Sequence, residues 1–152
     1  MSRLIFTNAN LLDGEYPARP GSTVVVDGNR IASVGTAAAD AGPEDRVVDL
    51  AGRTVMPGMV TSHFHSTYDE LGARPAPFGL EQPPAYQALV AARNVETALR
   101  CGFTGVVSAG APHDIDASLK RAIDDGVITG PRFVPGSRDV STTGHANDSA
   151  PW

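Results

Sequence analysis

A ten-residue stretch, residues 56–65, constrains this chain more than any other part of it. The stretch contains a Pro57-Gly58 break and an apolar run, and it ends in two histidines, His63 and His65, separated by one residue. Side chains two residues apart in a β-strand point to the same face, so the two imidazoles should lie side by side at a strand end. Neutral imidazoles placed in this way can bind one transition-metal ion such as Zn, Fe, Ni or Co. The alternative from spacing alone is a polar strand end with two solvated histidines.

The first third of the chain, residues 3–56, has the pattern of short β-strands separated by turns. We predict a hairpin over residues 23–34, because Asp27-Gly28 is a preferred tight-turn pair. We predict a second hairpin over residues 47–56, with its turn at Ala51-Gly52-Arg53. This region is therefore expected to be a small all-β unit.

From Pro57 onward, strand patterns alternate with helix patterns. We predict strands over residues 60–65, 103–108 and 132–135, a helix that begins at Pro83-Pro84, and a second helix over residues 117–125. The first helix carries an apolar stripe of Ala88, Ala92, Val95 and Leu99. This order of elements predicts parallel strands joined by right-handed crossovers.

Composition limits the kinds of partner that the chain can have. Its formal net charge is −5 and its charges are scattered, so it has neither the basic footprint of a nucleic-acid-binding protein nor a polybasic membrane patch. Its single cysteine, Cys101, cannot form an internal disulfide, and a small buried apolar role is expected for it. No signal-peptide core or membrane-spanning run is evident, so we expect a cytoplasmic protein.

Several segments together resemble the amidohydrolase superfamily of metal-dependent hydrolases. The Pro57-to-His65 segment is similar to the signature that ends the first barrel strand of that superfamily. Two further segments, Ala122–Arg132 with its Gly-Pro-Arg ending and Thr142-Thr143-Gly144-His145, resemble the branch that contains imidazolonepropionase-like enzymes and Xaa-Pro dipeptidases. The chain departs from the pattern at Thr61, where many members carry Asp.

The resemblance implies an α/β fold, namely the N-terminal part of a (β/α)8 TIM barrel preceded by a small β-sandwich. Residues 1–56 would belong to the sandwich, and residues 57–152 would form the first three βα units of the barrel. A complete barrel needs roughly 250 residues, so this chain of 152 residues would hold only its opening. The resemblance therefore implies that a continuation or a second chain supplies the rest, and we also expect an oligomer.

The resemblance further implies hydrolysis of a C–N bond, in an amide, lactam, carbamate or dipeptide, by metal-activated hydroxide. His63 and His65 would be ligands of one or two divalent metal ions, most simply zinc. His145 would face a small-molecule or dipeptide-like substrate and polarise its carbonyl or bind its carboxylate. Because Tyr68 follows the two histidines closely in sequence, we also expect it to contact the substrate. The alternatives are that His145 and Tyr68 are ordinary loop residues, and that the chain is an inactive fragment, a split-enzyme subunit or a non-catalytic barrel used for binding.

Overall fold

The computed structural model of this chain describes residues 2–37, 39–69, 82–138 and 142–143. The chain divides into two compact units, Met1–Pro57 and Gly58–Trp152. In the described part of the chain, neither helix is long and apolar enough to cross a bilayer.

The first unit contains five strands in one sheet, in the order β3-β2-β1-β4, with β5 also paired to β1. The strands are β1 (Arg3–Leu11), β2 (Arg19–Asp27), β3 (Arg30–Gly35), β4 (Arg46–Asp49) and β5 (Thr54–Val55). The predicted hairpin over residues 23–34 is confirmed, because β2 and β3 pair antiparallel around Gly28, which has φ +57°. Buried side chains of β1 and β2, among them Ile5, Val24 and Val25, form its apolar core.

The second predicted hairpin, over residues 47–56, is wrong. Both β4 and β5 pair parallel with β1. The intervening turn does not reverse the chain, since it keeps its own hydrogen bonds to β1: Leu50 N donates to Thr7 O at 2.9 Å and Gly52 N donates to Asn8 O at 2.8 Å. The turn therefore lets the chain continue along the same edge of β1. A sequence pattern identifies such a turn but does not say which strand it follows.

Asp45, just before β4, anchors the start of β1. Its Oδ1 accepts from Arg3 N at 2.8 Å, and its Oδ2 accepts from Arg3 Nη2 at 2.5 Å and from Gly42 N at 2.9 Å. Hydrogen bonds to the Arg3 side chain, and then to the backbone of Arg3 and Gly42, hold the pKa of the Asp45 carboxyl well below its usual range. A pKa depressed in the folded state makes the ionised group stabilising.

We expect this stabilisation to be fully present above about pH 4, the ordinary carboxyl pKa in the unfolded chain, and to be lost as the pH falls through the folded-state value. Asp45→Asn should therefore lower the stability at pH 7 and flatten its decline between about pH 5 and pH 2. Urea unfolding across that range measures both effects. Glu44→Gln, at the neighbouring exposed position, is the matched control. If the stability of Asp45→Asn declined with falling pH as steeply as that of the wild type, the stabilising role of the Asp45 carboxylate would be contradicted.

In its described residues, the second unit is a three-stranded parallel sheet with two helices, as the sequence predicts. Its elements are β6 (Met59–Phe64), α1 (Pro84–Arg100), β7 (Phe103–Ser108), a 3-10 turn (Pro112–Asp114), α2 (Ile115–Asp124) and β8 (Arg132–Val134). The sheet order is β6-β7-β8, and both pairs are parallel. The helix α1 ends before Gly102, whose φ of +93° suits the position after a helix C-terminus.

The helices pack on the sheet through a core that the sequence located only in part. The core residues are Ala91, Val95, Val106, Ala111, Ile115, Leu119 and Phe133. Of the predicted stripe on α1, Val95 is fully buried and Ala88 and Ala92 are half-buried against the core, while the helix also buries Val90, Ala91 and Ala98. Alanines lie on several sides of α1, so apolar periodicity alone does not fix its buried face. The helix α2 begins at Ile115, two residues before the predicted start.

Candidate metal site

The two histidines follow an irregularity in β6. Thr61 pairs with Val106 and Phe64 pairs with Ser108, so three residue steps on β6 are matched by two on β7. This extra residue is a β-bulge, which reverses the alternation of side chains beyond it. Phe64 consequently packs against the core, while His63, its neighbour, is exposed. The bulge thus includes His63 and immediately precedes Phe64 and His65.

Thr61 supports the bulge with its hydroxyl group. Thr61 Oγ1 donates to His63 O at 3.1 Å and accepts from His63 N at 3.4 Å. A hydroxyl can both donate and accept, whereas the ionised Asp of many superfamily members can only accept. Thr61 therefore makes two hydrogen bonds to the backbone of His63, whereas an ionised Asp could make only the one in which it accepts.

We expect Thr61→Val, which keeps the shape and removes the hydroxyl, to lower the free energy of unfolding by about 1 kcal/mol. Thr61→Ser should retain most of that stability because it keeps the oxygen. Chemical denaturation measures the difference, and amide hydrogen exchange at His63 tests whether the loss is local. Equal stability and equal exchange in the two variants would contradict a role for the hydroxyl.

The imidazole rings of His63 and His65 lie close to each other. Their centroids are 5.0 Å apart and their planes are 77° apart. Nδ1 of His65 lies 3.2 Å from Gly110 O, and since a carbonyl only accepts, this nitrogen carries the proton. In the neutral ring Nε2 then has the free lone pair that a metal ion requires.

Tyr68 lies against His65. The two rings are stacked, with centroids 4.2 Å apart and planes 4° apart. Tyr68, which is predicted as a substrate contact from its position after the two histidines, thus lies beside the candidate metal ligand. His145, the other implied substrate contact, lies outside the described residues.

The histidines open into a cavity of about 720 Å³. Its lining residues are Thr61, His63, Phe64, His65, Tyr68, Asn94, Thr97, Ala98, Cys101 and Phe103. Cys101 is exposed there, so the buried role expected for it is wrong. Cys101 is the C-cap residue of α1, where the helix ends and its apolar face no longer covers the side chain.

The loops after β7 and β8 are joined by two aspartates. Asp116 is fully buried, and its Oδ2 accepts from Gly136 N and Ser137 N, both at 2.8 Å. Asp114 accepts from Ser137 Oγ at 2.7 Å and from Arg138 Nη2 at 2.9 Å. Hydrogen bonds from Arg138 and Ser137 lower the pKa of Asp114 below its usual value. Carboxyl ends of parallel strands share one sheet edge, so these loops and His65 lie at the same end of the sheet.

Among residues 2–37, 39–69 and 82–138, no three His, Cys, Asp or Glu side chains come together as a metal site. The described residues therefore contribute a pair of imidazoles, of which His65 has a hydrogen-bonded Nδ1. That pair suits a metal ion that receives its other ligands from elsewhere.

Sequence reasoning missed two residues that hold this pair, Gly110 and Asn94. Gly110 acts through its backbone carbonyl, which leaves no signal in the sequence. Asn94 gave a signal, since it is a polar residue between the buried Ala91 and Ala98 on α1. Its side chain donates to the carbonyls of Ser66 and Tyr68.

Comparison with known proteins identifies the class. Residues 54–149, more than half of the chain, match the model of the amidohydrolase family. The chain belongs to the amidohydrolase family, whose members generally depend on metal ions.

Two curated relatives are similar to parts of the chain. An imidazolonepropionase of Arthrobacter sp. (strain FB24) is 38% identical over 80 residues, which are 51% of this chain and 19% of that protein. An enamidase of Eubacterium barkeri is 29% identical over 118 residues, 74% of this chain and 27% of that protein. The chain thus spans only about a fifth to a quarter of the length of these relatives.

Solved structures are similar over nearly the whole chain. A prolidase complexed with N-methylphosphonate-L-proline superposes with a TM-score of 0.81 at 31% identity, over 97% of this chain and 35% of that one. A Xaa-Pro dipeptidase with methionine bound in its active site gives a TM-score of 0.83 at 26% identity, over 97% of this chain and 36% of that one. The mixed α/β fold of this chain is therefore similar, over the matched part, to the corresponding parts of amidohydrolase TIM-barrel proteins.

Proposed function

We propose that this chain supplies the first-strand metal ligands, His63 and His65, of a metal-dependent hydrolase that cleaves a C–N bond. The bond would belong to an amide, lactam, carbamate or dipeptide. The observation that carries the proposal is the pair of imidazoles 5.0 Å apart at the end of β6, with Nδ1 of His65 hydrogen-bonded to Gly110 O. The family match supports the same class of reaction.

The ligand atoms fit a divalent metal ion such as zinc, in a site with one or two ions. When bound, the ion supplies Lewis acidity that activates water near neutral pH and polarises the scissile carbonyl. The residues of this chain hold the site: Gly110 keeps the proton of His65 on Nδ1, and Tyr68 covers one face of the ring. We propose that Tyr68 and His145 also contact the substrate, and that His145 polarises its carbonyl or binds its carboxylate.

We further propose that residues 57–152 are the first three βα units of a TIM barrel in a cytoplasmic, oligomeric enzyme, and that residues 1–56 belong to a β-sandwich that precedes the barrel in sequence. One observation favours a requirement for further strands. On β6, β7 and β8, the apolar side chains of Val60, Val107 and Val134 are 70%, 36% and 55% exposed. Parallel sheets are normally covered on both faces, so a continuation or a second chain is expected to cover this one.

The experiment that tests the proposed function is hydrolysis by the complete protein of a panel containing an amide, a lactam, a carbamate and a Xaa-Pro dipeptide. We expect turnover of at least one class, loss of that turnover after dialysis against a chelator, and recovery with a divalent metal ion. Turnover unaffected by complete metal removal would contradict the proposal. If the inactive-fragment alternative holds, the 152-residue chain by itself should not turn over substrate and should not remain a monodisperse monomer.

A further inference from the structure

The turn that follows β6 folds Tyr68 back over His65. Tyr68 N donates to His65 O at 3.3 Å, which closes a four-residue turn with Ser66 and Thr67 at its centre. Both central residues are buried, at 0% and 2% exposure, so the turn is part of the packed interior. His65 follows the last residue of β6, and the position of its ring therefore depends on this turn as well as on the strand.

Asn94, a half-buried residue of α1, holds the turn from the helix. Its Nδ2 donates to Ser66 O at 2.9 Å and to Tyr68 O at 2.8 Å. The amide nitrogen carries two hydrogens, so both bonds can form together, and two carbonyl partners require that the nitrogen rather than the oxygen faces them. The adjacent helix residue adds a more exposed link, from Arg93 Nη2 to Asp69 Oδ1 at 2.6 Å.

The imidazole of His65 is thus restrained in two different ways. The bond from Nδ1 to Gly110 O determines which nitrogen is free, and the stacked ring of Tyr68 determines the plane of the imidazole. The first restraint comes from the loop after β7, whereas the second comes from the turn that Asn94 holds. Metal–imidazole bonds are directional, and partners that orient a ligand typically affect metal affinity about 10- to 100-fold.

We propose that Asn94 is a positioning residue for the metal ligand His65. By fixing the carbonyls of Ser66 and Tyr68, Asn94 keeps the Tyr68 ring stacked on the imidazole and so keeps Nε2 of His65 in the orientation that binds the ion. This inference rests on the proposed function, because it requires His65 to be a ligand.

The test is a titration of the complete, metal-free protein with Co²⁺, whose visible absorption reports ligand geometry. Asn94→Asp preserves size but replaces the donor with an acceptor that cannot bond either carbonyl. We expect this variant to bind Co²⁺ about 10- to 100-fold more weakly, with a changed absorption spectrum. Glu96→Gln is the matched control: Glu96 lies on the same helix, is not among the described residues that line the cavity, and pairs with Arg100 of its own helix at 2.7 Å. It should leave affinity and spectrum unchanged.

A second pair of variants tests the inference if Asn94→Asp does not fold. Tyr68→Phe keeps the stacked ring and Tyr68→Leu removes it, so only the latter should weaken Co²⁺ binding and alter the spectrum. Asn94→Asp or Tyr68→Leu binding Co²⁺ with wild-type affinity and spectrum, whatever its melting temperature, would overturn the inference. His65→Ala distinguishes failure of the proposed function from failure of this inference. If His65→Ala binds Co²⁺ like the wild type, the proposed function fails. If His65→Ala weakens Co²⁺ binding but Asn94→Asp does not, only the role of Asn94 is overturned.

Discussion

Replacing His65 or His63 with alanine is expected to lower C–N hydrolysis by the complete protein at least about a thousandfold. Loss of a ligand removes the Lewis acid, which contributes several kcal/mol to transition-state stabilisation, and each 1.4 kcal/mol corresponds to about tenfold in rate. The content of bound metal should fall in parallel. Steady-state kinetics and elemental analysis on the same preparations measure the two quantities.

His113 supplies the control for these two variants. It lies in the 3-10 turn after β7 and is not among the residues that line the cavity. Its φ of +57° is tolerated by asparagine, so His113→Asn removes an imidazole with little backbone strain. If His113→Asn lowered the rate of hydrolysis and the metal content as much as His63→Ala and His65→Ala do, the effect would not be specific to the proposed ligands.

Replacing Asp116 with alanine is expected to lower the free energy of unfolding of the second unit by about 3 kcal/mol. Its carboxylate is fully buried and accepts from Gly136 N, Ser137 N and Ala117 N, each at 2.8 Å. Alanine would leave these amides without their charged acceptor and would release the loop after β8 from α2. Asp116→Asn should lie between alanine and the wild type, because the amide keeps one acceptor oxygen.

Asp124→Ala is the matched control, since Asp124 lies on the exposed side of the same helix and pairs with Lys120. A surface pair of this kind contributes less than about 1 kcal/mol. Chemical denaturation of the three variants gives the comparison. Equal stability of Asp116→Ala and Asp124→Ala would show that the buried carboxylate of Asp116 does not hold the loop after β8 to α2.

Local patterns in the sequence predicted those parts of the fold that depend on neighbours in the chain. The hairpin at Asp27-Gly28 and the parallel order of strands and helices after Pro57 follow from turn chemistry and apolar periodicity. The pairing of β4 and β5 was mispredicted because it depends on β1, some forty residues away in sequence. The buried face of α1 is predicted only in part for a similar reason: Val95, Ala88 and Ala92 pack in or against the core, but the sheet also buries Val90, Ala91 and Ala98.

In the candidate site, too, local sequence patterns predict only those features that depend on neighbouring residues in the chain. Alternation in a strand predicts that His63 and His65 share a face, but it does not reveal the bulge between Thr61 and Phe64 in which His63 lies. The bond between His65 and Gly110 joins residues 45 positions apart, and Asn94 reaches the turn from a different element. Such supports arise from tertiary packing, and a polar residue such as Asn94 among the alanines of α1 does not by itself identify its partners.

The most direct test of the central claim is a crystal structure of the complete protein loaded with a divalent metal, with anomalous scattering used to locate the ion. We expect an anomalous peak about 2.0–2.3 Å from Nε2 of His65 and from one ring nitrogen of His63. A metal ion bound elsewhere, with the two imidazoles turned away from it, would contradict the account.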